Sequence, residues 1–331
     1  MRSTRGLAAV ITVAIATLSA GCAGHASNGA AGTPGRTPAA SAAAPDALPA
    51  GVTPLGRSVP VAAQGWNLEL APFTETNAGA SAEPVPVGWV VVRTQARFTN
   101  TSGQIAQLPD TALTVRYGSL GRRATPVKDA VLSGLPARDA AVREAPGATF
   151  AAEVGVAIPP QARGQRVTVT AEATQEGMAE ADSVFFEGRL PGKAGDAEEA
   201  DPSVPGGTEA ASASAVLPFG AWSPGRVRVS AITLGPAKNG TRPATADLTV
   251  VNGDSQPRTG AGITLRVMTG AGLKDAASLT PALDYPDAPI APARSATVSL
   301  HFSLPATAVP GPVTVEAVDQ GEPITFSGSV S

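Results

Sequence analysis

Cysteine is nearly missing from this chain: Cys22 is the one cysteine in 331 residues. Without a second, no intrachain disulfide and no cysteine-based metal site can form. Histidine is limited to His25 and His301. A zinc site needs three or four Cys, His or carboxylate ligands, and that set is lacking. No Gly-x-Ser-x-Gly occurs, and a Ser-His-Asp triad would have to use His301. His301 alternates with Ser299 and Ser303, which reads as the polar side of a strand. There is no phosphate-binding glycine loop, because Gly260-Ala261-Gly262 precedes a strand and not a helix. Positive charge is also short: 24 basic residues stand against 27 acidic ones, a net charge of −3. Nucleic acid needs a basic stripe to neutralise its phosphates, and an anionic lipid surface needs a polybasic patch. Neither is here. Helical periodicity is hard to find as well.

What the chain does have begins at its N-terminus. Met1-Arg2-Ser3-Thr4-Arg5 carries two arginines and no acid, and Gly6 to Ala20 carries no charge. That is the order of a secretory signal, and the run is shorter than the ~20 apolar residues of a transmembrane helix. It closes on Leu18-Ser19-Ala20-Gly21-Cys22, which resembles a bacterial lipobox, with Ser19 where that motif usually has leucine. The expectation is a signal peptide over 1–21 and lipidation at Cys22, tying the chain to the outer face of a cell membrane. An ordinary signal cleaved near Ala20 and an uncleaved anchor are the alternatives. Residues 22–55 are nearly all Ala, Gly, Ser, Thr and Pro, and such a stretch cannot bury enough apolar surface to offset its ordering entropy. It reads as a disordered tether with a root-mean-square span of ~30 Å.

From there on, period-two alternation dominates, punctuated by Gly and Pro. Trp66, Leu68 and Leu70 share one side of a strand. Val90, Val92, Thr94, Ala96 and Phe98 follow, then Leu113, Val115 and Tyr117, with Thr114 and Arg116 outward. After a longer connection come Phe150 to Ile158, Val167 to Ala171 and Val184 to Leu190. The second half repeats the order, with Ala246, Leu248 and Val250, then Ile263, Leu265 and Val267 matching Leu113, Val115 and Tyr117. Thr264-Leu265-Arg266 reads as the copy of Thr114-Val115-Arg116. Ala296 to Leu304, Val313-Thr314-Val315 and Ile324 to Val330 complete the repeat. This predicts an all-β chain of two tandem antiparallel, immunoglobulin-like β-sandwiches. The first spans 56–191, a linker with the acidic patch Asp196, Glu198, Glu199 and Asp201 covers 192–216, and the second spans 217–331.

Asn100-Thr101-Ser102 closes a strand, and Ala145-Pro146-Gly147-Ala148-Thr149-Phe150 opens the one that runs to Ile158-Pro159-Pro160. This pattern resembles a telokin-like, immunoglobulin-like domain found in lipoproteins of Gram-positive bacteria. Asn252 fits it in the second copy, where Ala291-Pro292-Ala293-Arg294 lacks the glycine. The excess of arginine over lysine and the heavy use of Ala, Gly and Pro are similar to proteins of high-GC members of that group. The resemblance implies fold and location, and no activity.

The candidate contact residues are few. Arg122 and Arg123 form a basic pair in the connection from Ser119 to Glu144, the longest within a copy. Loops of that length are often functional, so the pair is a candidate surface for a protein or an anionic wall polymer. For the two arginines a solvated turn is the plainer reading, and for the connection a short hairpin plus a helical turn that completes the sandwich is an equal one. Trp89 lies out of phase with Val90 and Val92 and so caps the other face of the sheet or, if exposed, anchors a partner. Trp66 and Trp222 each open the first strand of a copy. Asp284-Tyr285-Pro286-Asp287 and Asn252-Gly253-Asp254 each offer two oxygens to calcium but lack the spacing of a calcium loop, and turn chemistry explains them better. The expected role is non-enzymatic binding or scaffolding at the cell surface, without a cofactor. The alternatives are a small-ligand or calcium receptor and a cell-wall hydrolase or its regulator.

Overall fold

The computed structural model describes residues 48–62, 65–77, 85–129, 131–137, 140–174, 181–193, 216–259, 263–270, 272–275, 278–280, 285, 287–319 and 321–330. The signal peptide, Cys22, His25, the tether up to residue 47, Gly260 to Gly262 and most of the linker lie outside them. The described residues belong to one compact unit, 47–331. Among them no helix is long and apolar enough to cross a membrane.

The first half holds β1 (Val52–Pro54), β2 (Ser58–Val61), β3 (Trp66–Leu70), β4 (Thr74–Thr76), β5 (Val90–Asn100), β6 (Ala106–Gln107), β7 (Asp110–Tyr117), β8 (Arg122–Arg123), β9 (Thr125–Val127), β10 (Arg143–Glu144), β11 (Thr149–Ile158), β12 (Arg166–Thr174) and β13 (Asp182–Arg189). One sheet runs β2-β3-β5-β11-β9, and the facing one runs β1-β13-β12-β7-β8. Alternation does the work the sequence suggested. Trp66, Leu68, Phe98, Val169 and Phe186 are fully buried between the sheets, and each such side chain contributes ~1.5–3 kcal/mol. The all-β sandwich expectation holds.

The second half holds β14 (Leu217–Pro218), β15 (Val227–Val229), β16 (Thr233–Leu234), β17 (Thr241–Asn252), β18 (Thr264–Thr269), β19 (Lys274–Asp275), β20 (Ser278–Thr280), β21 (Arg294–Pro305), β22 (Gly311–Asp319) and β23 (Glu322–Val330). Its pairings repeat those of the first half. β17 pairs β21 as β5 pairs β11, and β18-β22-β23 follows β7-β12-β13. Even the short parallel strand recurs, with β1 on β13 and β14 on β23. The second core is separate, built on Leu248, Ile263, Leu300, Val315 and Phe326.

Three sequence expectations need correction. The fold starts inside the stretch read as tether, because Val52 pairs with Phe185 and buries its side chain against it. In the third strand of the second copy the structural register lies one pleat from the sequence match. Gly118 donates to Arg166 O and Gly270 to Pro312 O, so those glycines are equivalent and Met268 occupies the place of Arg116. Finally, Thr114 and Arg116 do point away from their own core but are buried, only 7% and 5% exposed. What covers them is the other sandwich.

The described residues of the long connection from Ser119 to Glu144 contain the short strands β8, β9 and β10. Val127 and Leu132 fold back onto the outer side of the first sheet with Val91 and Ala157. Leu132 fits there because Gly155 leaves room; a Cβ at 155 would stand 2.6 Å from its Cδ1.

Candidate functional site at the junction of the two sandwiches

The outward face of β7, β12 and β13 carries Thr114, Arg116, Thr170, Phe185 and Glu187. As a sequence this is a polar surface with one misplaced phenylalanine. In the fold it receives the segment from Tyr285 to Thr297 of the second sandwich. Phe185 packs with Val52 and Ala291. Thr170 Oγ1 donates to Pro289 O at 3.2 Å. Arg294 grips Glu187 with two hydrogen bonds, Nε to Oε2 at 2.5 Å and Nη2 to Oε1 at 2.8 Å. Both side chains are largely buried, 14% and 8% exposed. A fork-to-carboxylate pair of this kind fixes orientation as well as adding energy.

The turn between β7 and β8 extends the contact. Thr297 donates through its backbone N–H to Gly121 O at 3.1 Å and through Oγ1 to Leu120 O at 2.7 Å. Arg122 pairs with Thr297 in parallel register, so β8 joins the two halves into one ten-stranded sheet. Gly121 makes this approach possible. Its φ is +62°, and a Cβ there would lie 1.8 Å from Ser295 O. No side chain fits.

Arg122 and Arg123, the candidate partner surface, therefore find partners in their own chain. Arg122 Nη1 donates to Asp247 Oδ2 at 2.8 Å, and Arg123 Nη1 donates to Asp287 Oδ2. Arg116 Nη2 reaches the other oxygen of the same carboxylate at 3.1 Å. Two guanidiniums thus share Asp287, which argues against a cation on that carboxylate. Asp284 lies outside the described residues. In the other candidate calcium loop, the Asn252 amide donates to Gln256 O, Ile290 O and Ala291 O while Oδ1 accepts from the Asp254 N–H. That is turn closure, and Asn100 does the same with Gln104 O, Glu144 O and the Ser102 N–H.

A cavity of about 830 Å³ remains where the end of the first sandwich meets the second. Trp89, Arg116, Tyr117, Arg123, Tyr285 and Asp287 are among its walls. Trp89 is half-buried, with Val91 and Leu132 in the cluster behind it, so it both caps the sheet and fronts the cavity. Burial lowers the pKa of Arg116, against the pull of Asp287. Burial also raises the pKa values of Tyr117 and Tyr285, keeping both hydroxyls as donors. The Tyr285 hydroxyl is buried without a hydrogen-bond partner of sound geometry.

The other named residues lie apart from this place. His301 is exposed on β21. Trp66 is in the first core, and Trp222 stacks under Arg228, 4.7 Å from ring centroid to guanidinium carbon. Sequence reasoning missed Tyr285 as a site residue, and it missed Glu187 and Phe185 entirely. The Phe185-Phe186 pair was the available signal, since adjacent strand residues face opposite ways and one of the two must be covered from outside.

No family model matches the chain, and no curated protein is similar to it. Among solved structures it is similar to "Crystal structure of Amycolatopsis orientalis exo-chitosanase CsxA", at 11% identity and a TM-score of 0.24, over 78% of this chain and 26% of that one. The chain thus spans about a quarter of that protein's length.

Proposed function

We propose that the chain is a lipid-anchored extracytoplasmic protein that binds or scaffolds and does not catalyse. Cys22 carries the thioether-linked diacylglycerol, with a further acyl chain on the new amino group, and more than one chain makes such anchoring stable. The stretch that follows holds the twin sandwich clear of the headgroups. The observation that favours binding over catalysis is at Asp287, the carboxylate in the cavity wall. A general base needs a carboxylate free to take a proton, and this one is held by Arg116 and Arg123. The cavity favours a refinement in which the bound partner includes a small ligand.

One experiment tests the reading. Cells expressing the wild-type chain and Cys22→Ala are fractionated, and the purified proteins are incubated with ester, peptide and glycan substrates. The wild type stays with the membrane and the variant appears folded in the medium, with turnover by neither. A membrane-bound Cys22→Ala protein, or saturable hydrolysis, would overturn it.

A further inference from the structure

We propose that the junction cavity is a binding site for a small organic oxyanion, a carboxylate or phosphate borne on a compact ring, with Arg116 and the Tyr285 hydroxyl facing its oxygens. This rests on the reading of the chain as a binding module and adds the chemistry of the ligand.

Two buried side chains carry the argument. Arg116 is 5% exposed and stands in the cavity wall. A guanidinium has five N–H donors in a fork that matches two oxygens. Asp287 Oδ1 accepts from its Nη2, and the fork has further N–H donors, on the side of the Tyr285 hydroxyl, to offer a ligand. Tyr285 is 8% exposed, and its hydroxyl lies beside Arg116 without a hydrogen bond of sound geometry. Buried donors are normally satisfied, and one negatively charged oxygen pair placed here satisfies both residues. Charge favours the same ligand. Among the described residues, Arg116, Arg122 and Arg123 line the cavity against the one carboxylate of Asp287. Asp247 lies behind Arg122, and Glu172 near Arg116 has its own ionisation opposed by burial and by Asp287. Trp89 and Tyr117 supply flat walls on which a ring can lie. The volume, about 830 Å³, falls among those of small-molecule sites.

The test uses the chain from residue 23 onward, which contains every strand of both cores. Titration calorimetry and thermal melting are run with glucuronate, glucose 6-phosphate, inorganic phosphate and glucose. Glucuronate or glucose 6-phosphate binds saturably and raises the melting temperature; inorganic phosphate binds more weakly, and glucose gives no shift. Tyr285→Phe melts like the wild type without a probe and binds about tenfold more weakly, the loss of one hydrogen bond to a charged group. Arg116→Gln abolishes binding, and the exposed Arg266→Gln leaves it intact. Should Arg116→Gln not fold, Tyr285→Phe decides. No saturable binding of any oxyanion up to ~10 mM, equal binding of glucose and glucuronate, or wild-type affinity in Tyr285→Phe would overturn the proposal. Failure here leaves the fractionation result standing, whereas a secreted or hydrolytic chain would defeat the broader reading and leave the titrations standing.

Discussion

The same hairpin turn occurs twice in this molecule with opposite fates. In the first sandwich it runs from Gly118 to Gly121, and in the second from Gly270 to Leu273, closed by the same backbone bond between its ends. The last residue has positive φ in both, +62° at Gly121 and +48° at Leu273. Gly121 lies against Ser295 of the other sandwich, whereas Leu273 is 52% exposed. The strands behind the turns differ in the same sense. Phe185 and Glu187 lie buried beneath the second sandwich, whereas their counterparts Thr325 and Ser327 are half-buried; Arg116 and its counterpart Met268 are both buried, but Met268 carries no charge to pair. One topology was therefore given two surfaces. The first docks; in the second a leucine stands where that docking requires glycine.

The strongest way to break this comparison is to give the first turn the residue of the second. Gly121→Leu places a side chain on the Ser295 carbonyl, with backbone on both sides and no room to yield. The two sandwiches should separate while each keeps its core. Scattering should show a longer particle, and calorimetry two transitions in place of one. The loss exceeds that of any single contact considered below. A compact Gly121→Leu protein with one transition would show that the turn does not govern docking.

Next in size is the buried pair. Glu187→Ser installs the residue of the second copy, Ser327, and leaves Arg294 buried without its carboxylate. Breaking such a pair costs about 3–5 kcal/mol, visible as a lower urea midpoint. Adding Arg294→Ala, which matches Ala148 of the first copy, removes the orphaned charge and should restore part of the loss. A single variant with the wild-type midpoint would mean that the pair is merely decorative.

A third prediction reverses the sign. Gly147 and Ala293 occupy equivalent turns at φ +75° and +53°. The turn that lacked its glycine in the sequence forms all the same, with alanine held in the left-handed region at some cost. Ala293→Gly should stabilise by about 0.5–1 kcal/mol, after the extra entropy of a glycine in the unfolded chain is subtracted. Leu273→Gly should act in the same direction. Lower melting temperatures for both would refute the strain argument.

Much of the fold could be read from alternation, since a strand with one buried face writes that face into every second residue. The duplication and the two asparagine corners were visible for the same reason. The docking was not. Thr114, Arg116, Thr170 and Glu187 have the composition of a solvent face, and an ion pair between residues more than a hundred apart leaves no local pattern. Arg122 and Arg123 were visible as a contact surface, but the partner is the other half of the chain. The cavity is bounded by residues from both halves, so no single stretch announces it. Val52 was hidden by its Ala- and Pro-rich surroundings, and only its pairing with Phe185 reveals it.

The smallest expected effect concerns Glu172, on the docked face, where the second copy has Val318. Burial and the Asp287 charge raise the pKa of Glu172 above its ordinary 4.5, with Arg116 pulling the other way. The folded chain therefore favours the protonated form. The stability it contributes is complete below the ordinary glutamate range and is lost as pH rises through the folded value. At neutral pH the residue is ionised beside Asp287, at a cost its partial exposure keeps to ~0.5 kcal/mol or less. Glu172→Gln should then be slightly more stable than the wild type at pH 7 and equal to it near pH 3, with a flatter profile between. Since Arg116 is the compensating charge, the order should reverse in an Arg116→Lys background only if the lysine reaches Glu172 better than the arginine does. Melting curves of the single variant across pH 3–8 decide the main point: a Gln variant less stable at pH 7 would mean that the carboxylate serves Arg116 more than it suffers from Asp287.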